Sequence, residues 1–584
     1  VTHAPPEMPH VVVVGGGIGG LATATLLARG GARVTLLERH DHVGGRAGTL
    51  ELDGFRFDTG PSWYFMPEVF EHWFALLGER VEDHLDLVPL DPSYRVFFER
   101  PPSSGQARVA AHPTGARTVL DVTRDAEANW ARFDALSPGD GERVRAYAAE
   151  SSEAYRLALD HFLYTTFERP DRAIDGSVLR RLPRLAALLG RSLADRVERR
   201  VEDPRLRQVL GYHAVFLGSS PYRVPALYSL MSHLDLVEGV RFPRGGMYTI
   251  VEAMEKLARS EGVTIRTGSD VVGIEVAPAA ARPDDGASPR ARTGRSRRRA
   301  RGVATGVRLR GGEVVPADVV VSGADLHHTQ TALLPDAYAD LPAESWEDRG
   351  PGISALLVLA GVRGELPELA HHSLFFTEDW RGNFEDVLGQ GASSDVGTLR
   401  VPTPASLYVS RTSATDDASL DHPAAPPGHE NLFVLVPFPA DPALGGDAPS
   451  QAALEDLADG YLDQVGAWAG IDDLRGRVVT RRVLGPAHFA TEFSSWRGTA
   501  LGMEHTLAQS AMFRPPGRSR AVPNLYFAGA GTAPGVGLPM CLISAELVVK
   551  RLLGETSSRP LPTPLRRGFL AASRRPDRLR GGAS

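Results

Sequence analysis

Cysteine is almost missing from this chain of 584 residues, where Cys541 stands alone. An internal disulfide framework is therefore excluded, and with no Cys/His cluster at ligand spacing no metal site is expected. Lysine is nearly as scarce: only Lys256 and Lys550 occur, so arginine carries the positive charge. That bias, with abundant alanine and glycine, points to a GC-rich bacterial genome. A formal net charge of −7 and a pI near 6.2 carry no global signal for nucleic acid. No apolar run approaches the roughly 18 residues that a membrane-spanning helix needs. The opening VTHAPPEMPHVVVV has neither the basic n-region nor the long apolar h-region of a signal peptide, so the expectation is a protein kept in a reducing cytoplasm. There are no internal repeats. The length exceeds one simple core, and two or more substructures sharing a cleft are expected.

Glycine is plentiful, and its placement is informative. The apolar run Val11 to Val14 suits a parallel strand buried on both faces. Gly15, Gly17 and Gly20 follow at GxGxxG spacing. The first permits a tight turn, the second lets backbone approach a pyrophosphate, and the third lets the next helix pack closely on the strand. That helix, from Ile18 and Gly19 to about Arg29, directs its free N–H groups at the phosphates and is stopped by Gly30 and Gly31. ARVTLLE forms the next strand and ends at Glu38, followed by Arg39. A carboxylate at Glu38 accepts from ribose hydroxyls and repels a 2′-phosphate, so the nucleotide is FAD or NAD and not NADP. Near the other end, NLYFAGAGTAPGVGLPM reads as a strand, a turn and a helix start. There Gly529, Gly531 and Thr532 are expected to bring backbone to the cofactor's pyrophosphate side, and Gly537, Leu538 and Met540 to lie at a helix N-terminus that favours negative charge.

The loop Gly44-Gly45-Arg46 resembles the one that follows the acid in the flavoprotein oxidase and desaturase superfamily, and FDTGPS, with Gly60, Pro61 and Ser62, is similar to that superfamily too. This likeness moves the choice to FAD. The fold class expected is α/β: a Rossmann-type FAD-binding domain, a parallel sheet with a β-meander, interleaved with a mixed-sheet substrate domain and a helical, membrane-facing subdomain. The FAD domain takes residues 10–90, 241–330 and 481–555, the helical region 91–240 and the substrate sheet 331–480. Residues 277–301, with the run RTGRSRRRAR, are expected to be a disordered surface loop, and 556–584 a disordered basic tail.

Many blocks in one order, among them FRFDTGPSWYFMPEVFEHWFALLG, VFLGSSPYRVPALYSLMSH, FPRGGMYTIVEAM, HSLFFTEDWRGNFEDV and GAGTAPGVGLP, resemble the bacterial carotenoid desaturases of the phytoene desaturase type. Ala533 departs from that pattern, since related enzymes often carry histidine there. The resemblance implies noncovalent FAD, stepwise desaturation of phytoene toward lycopene, and a quinone or oxygen as final electron acceptor. Peripheral attachment to the inner face of the cell membrane is also expected, where a lipid-soluble substrate resides. Val271 is expected at the adenine by the same analogy. No catalytic acid or base is named, because an allylic cation left by hydride loss is delocalised along the polyene. His213, His233, His371 and His372 read as tunnel-lining or as ordinary structural histidines, and Cys541 as a buried inert thiol.

Leu179, Leu182, Leu185, Leu189, Leu193 and Val197 recur at helical spacing among arginines, as a membrane-docking helix or one packed on the core. A later-pathway carotenoid desaturase or ketolase and a flavin amine oxidase are alternatives, and a lipid carrier like the GDP-dissociation inhibitors is the non-enzymatic one. Many amine oxidases place a lysine near the flavin, and neither lysine here occupies such a position.

Overall fold

The computed structural model describes residues 8–99, 118–168, 182–279, 301–389, 401–416, 420 and 422–571. Two sheets organise them. A five-stranded parallel sheet runs in the order Leu525–Phe527, Val319–Ser322, His10–Val14, Arg33–Leu37 and Thr264–Arg266. Its central strand is buried on both faces, as an unbroken valine run requires. The helix Ile18–Arg29 crosses one face and is itself wholly buried, flanked by helices Tyr248–Ser260 and Leu538–Leu553. An antiparallel meander, Val271–Pro278, Gly302–Leu309 and Val314–Pro316, completes the Rossmann-type α/β fold.

The second sheet has seven strands, in the order Val478–Leu484, Ser354–Arg363, His429–Phe438, Leu407–Ser410, His372–Phe376, Tyr94–Phe98 and Val119–Val122. Alternation in Ser354–Arg363 divides its side chains between two cores. Leu356, Val358, Ala360 and Val362 pack with the long helix Ala448–Ala469, whereas Ala355, Leu357 and Leu359 face the opposite core.

Three expectations need correction. Residues 91–240 are not helical throughout: Tyr94–Phe98 pairs in parallel with His372–Phe376, and Val119–Val122 extends that edge. The amphipathic run of 177–201 is not one helix. Its described part divides into Leu182–Leu189 and Leu193–Glu198, the second started by a Ser192/Asp195 capping box. Leu193 and Val197 are buried in the core, while Leu189 is exposed. Residues 556–571 are no free tail. Leu561, Leu565 and Leu570 are buried, the Leu565 N–H donates to the Leu76 carbonyl at 2.9 Å, and the Arg29 Nε donates to the Leu565 carbonyl at 2.8 Å. Of the expected 277–301 loop, Ala277 and Pro278 belong to a strand, and residues 280–300, like 572–584, lie outside the described residues.

Candidate active site

The helices that follow the two glycine motifs open onto one cavity. Ile18–Arg29 starts at Gly17 and Leu538–Leu553 at Gly537, and neither start has a side-chain cap. The positive end of each helix and its free N–H groups are left for whatever fills the cavity. The glycine segments also touch: a Cβ on Gly19 would stand 2.8 Å from the Gly529 backbone, whose N–H donates to Ser544 Oγ at 2.7 Å. The two ends of the chain thus make one wall.

Glu38 is buried at the end of Arg33–Leu37, where its carboxylate accepts from the Gly16 N–H at 2.6 Å and the His40 N–H at 2.9 Å. It braces the glycine turn while lining the cavity. The Gly44 N–H donates to the Gly16 carbonyl at 2.9 Å, which seats the Gly44-Gly45-Arg46 loop against that turn. The Arg46 guanidinium donates to Ser495 Oγ and lies 3.8 Å from Asp325, and its Nε has no partner among the described residues. Burial holds its pKa below the usual arginine range. The Arg39 guanidinium is tied to the carbonyls of Thr491 and Glu492 and to Ser494 Oγ.

From this polar end the cavity, about 880 Å³ in all, continues between the seven-stranded sheet and the helical region. Its walls there are apolar, with Leu357, Leu374, Phe376 and Leu435 from the sheet facing Ala158, Tyr212 and Phe216, and Trp63 from the loop after Ser62. Burial pushes the phenols of Tyr155, Tyr212 and Tyr408 well up, that of Tyr228 up and the Cys541 thiol up to about 12, so all stay protonated near neutrality. His505 also lines the cavity, and burial beside Arg514 holds its pKa well below the ordinary value.

Of the residues singled out in the sequence, Gly15, Gly17, Ile18, Gly19, Glu38, Arg39, Gly44, Gly45, Arg46, Gly60, Pro61, Ser62, Val271, Gly529, Gly537, Leu538 and Met540 line the cavity. Three do not. Gly20 lies beneath the helix against Gly15, Gly531 borders a small adjoining pocket, and Thr532 is buried with its Oγ1 donating to the Pro515 carbonyl at 2.8 Å. The histidines read as candidates are structural. His213 is 3.2 Å from the Asp235 carboxylate, and His233 Nδ1 pairs with Ser152 Oγ at 2.8 Å. His371 Nδ1 pairs with Thr415 Oγ1 at 2.6 Å, and His372 stacks on Trp63 with its Nδ1 2.7 Å from the Tyr408 hydroxyl. His505, absent from the sequence reading, carries no spacing that would reveal it. Trp63, Phe65 and Phe216 sit inside quoted blocks, yet only the fold turns them into the cavity.

The profile of the family described as flavin containing amine oxidoreductase matches residues 18–553. The chain belongs to this family. Within it the chain groups with carotenoid desaturases. It is 38% identical to a carotenoid 3,4-desaturase of Haloarcula japonica, over 93% of this chain and 98% of that one. It is 35% identical to a zeta-carotene-forming phytoene desaturase of Myxococcus xanthus, over 93% and 94%. Among solved structures, an oxidoreductase from Methanosarcina mazei shares the fold at 17% identity with a TM-score of 0.56, over 93% of this chain and all of that one.

As a member of the flavin oxidoreductases this enzyme takes FAD and acts on CH–CH bonds. The cavity fits such a cofactor: two uncapped helix ends, the unpartnered Arg46 Nε and the open face of Gly529, with nothing within 4 Å of its Cβ position, suit an anionic dinucleotide. Neither lysine reaches it. Lys550 Nζ donates to the carbonyls of Tyr164, Ser557 and Arg559, and Lys256 is exposed on the helix Tyr248–Ser260.

Proposed function

We propose that this enzyme is a carotenoid desaturase that acts on phytoene stepwise toward lycopene, with a quinone or oxygen as final electron acceptor. The observation that carries this reading is the cavity of about 880 Å³, lined by the glycine motifs and Glu38 at the nucleotide sheet and by apolar side chains between the seven-stranded sheet and the helical region. A polyene has no group to hydrogen-bond, so its recognition rests on shape and apolar contact. Bound FAD supplies a two-electron acceptor for the hydrogen removed. Glu38 accepts from the adenosine ribose hydroxyls, Val271 covers the adenine, and the two helix ends with Arg46 face the phosphates and the isoalloxazine. The aromatic and aliphatic walls orient the polyene and exclude water. Glu38→Ala is expected to weaken FAD binding by about 10–150-fold, the equivalent of one charge-assisted hydrogen bond at about 1.5–3 kcal/mol. A fluorescence titration showing unchanged affinity would place the ribose elsewhere.

The identity to the 3,4-desaturase supports a second reading, action on a later carotenoid. FAD-loaded enzyme in liposomes with phytoene or, separately, lycopene separates the two. Lycopene or its partly desaturated precursors from phytoene carries the first reading, and products from lycopene alone carry the second.

Such substrates reside in lipid, and the cavity has an apolar rim. Met512 and Leu189 line it and are exposed, as are Leu507 and Phe513 nearby. The helix Leu182–Leu189 packs on Ala226–Leu230, whose Tyr228 hydroxyl donates to Ser510 Oγ at 3.1 Å, so these residues sit together. We place the peripheral contact with the inner membrane face here rather than along 177–201 as a whole. Among the described residues no helix is long and apolar enough to cross a membrane. Met512→Glu with Phe513→Glu is expected to lower vesicle partitioning by at least about tenfold, since burying each side chain contributes about 1.5–3 kcal/mol. Unchanged co-sedimentation would move the docking face elsewhere.

A further inference from the structure

We propose that His505 Nε2 is the proton acceptor of the desaturation, an inference that rests on the function proposed above. Removing two hydrogens from a CH–CH unit breaks two C–H bonds. One pair of electrons leaves as hydride to the flavin, a two-electron acceptor. The other pair becomes the second bond of the new C=C, and the proton it releases must go to a base. Water is a poor candidate in a cavity walled by aromatic and aliphatic side chains.

His505 is 2% exposed and lines the cavity beside the C-terminal glycine motif. Its Nδ1 lies 2.9 Å from the Leu217 carbonyl oxygen, which only accepts, so Nδ1 carries the hydrogen and Nε2 the lone pair. Nε2 has no hydrogen-bond partner among the described residues and is directed at Gly535, where a Cβ would stand 2.6 Å from it. Gly535, with φ +150, lies two residues before the uncapped start of Leu538–Leu553. The ring is also held from the preceding residue: the Glu504 carboxylate accepts from Ser219 Oγ and from Arg223 at 2.7 Å. The Tyr228 ring meets the imidazole edge-on at 5.9 Å.

Tyr155, Tyr212, Tyr228, Tyr408 and Cys541, which also line the cavity, hold their protons near neutrality. Burial and the neighbouring Arg514 keep His505 neutral. A weak base suffices, because a C–H next to an allylic cation is a far stronger acid than imidazolium.

The test uses FAD-loaded enzyme and phytoene in liposomes. His505→Gln and His505→Ala are expected to lower the single-turnover rate of desaturated-product formation by about 10²–10⁴-fold, with FAD content and polyene affinity within twofold of the parent. Added imidazole is expected to restore His505→Ala at least tenfold, more strongly for more basic imidazoles, which a packing role alone does not produce. A rate within threefold of the parent in His505→Gln, or a loss in His505→Ala that no imidazole restores, overturns the proposal. On the unaltered protein, ¹⁵N imidazole resonances should show His505 protonated at Nδ1 and bare at Nε2, and the opposite tautomer overturns it whatever the variants do. Failure of the parent enzyme to turn over phytoene would count against the substrate reading instead, and leaves the tautomer test standing.

Discussion

Gly20→Ala is expected to yield protein with less than a tenth of the parent's FAD and a clearly lowered Tm. An added Cβ would overlap the Gly15 carbonyl oxygen and stand 3.2 Å from its carbon. The obstacle is backbone, and it is pinned: the Gly15 N–H donates to the Leu37 carbonyl at 2.8 Å, and the Gly323 N–H to the Val14 carbonyl at 2.7 Å. The turn cannot yield without opening the parallel sheet, so the helix must lift. Lifting it turns the free N–H groups of its first turn away from the cavity and drives Gly19 into Gly529. Overpacking a core costs about 1–3 kcal/mol where side chains can adjust and more where they cannot. The same substitution at Gly460, mid-helix in Ala448–Ala469 with nothing within 4 Å of its Cβ position, is expected to stabilise by about 0.5–1 kcal/mol. Visible absorbance per protein and thermal melts on both variants make the comparison, and an FAD-replete Gly20→Ala would show that close helix–strand contact is dispensable.

Ending the chain at Glu555 is expected to be nearly as damaging, whereas ending it at Ala571 removes none of the described contacts. The shorter form loses Leu561, Leu565 and Leu570, each worth about 1.5–3 kcal/mol when buried. Buried polar groups then lose partners: Lys550 Nζ keeps one of its three carbonyls, and Arg29 Nε loses the Leu565 carbonyl. Buried groups left unpaired add about 1–3 kcal/mol each. Against a total stability of about 5–15 kcal/mol, aggregation or a Tm lowered by more than ten degrees is the expected result. Equal Tm values for the two truncations would mean that the segment rests on the helices without holding them.

These two sites mark where sequence patterns carry structure and where they do not. The turn at Gly15–Gly20 is legible because its demands are local: tight backbone, close approach, a helix directly after a strand. The strands at 354–363, 372–376, 407–410 and 429–438 are equally legible as apolar runs. Tyr94–Phe98 escapes because its partner, His372–Phe376, lies far along the chain, and nothing within five residues says which edge they will join. Residues 556–571 escape for a different reason. Proline and arginine give them a disordered composition, and three spaced leucines become anchors only against the surfaces they cover. For the site, the nucleotide end follows from spacing, whereas the apolar end is assembled from single side chains on separate elements.

The contact of Gly19 with Gly529 has a bearing on synthesis. Residue 19 leaves the ribosome long before residue 529, by about 25–100 s at about 5–20 residues per second. For about the first three fifths of that interval His10–Val14 lacks Val319–Ser322 beside it, and to nearly its end the sheet lacks Leu525–Phe527 beyond. A nascent chain holding an apolar strand for so long is a client for chaperones, and the cofactor can be captured in full only after Gly529 has emerged.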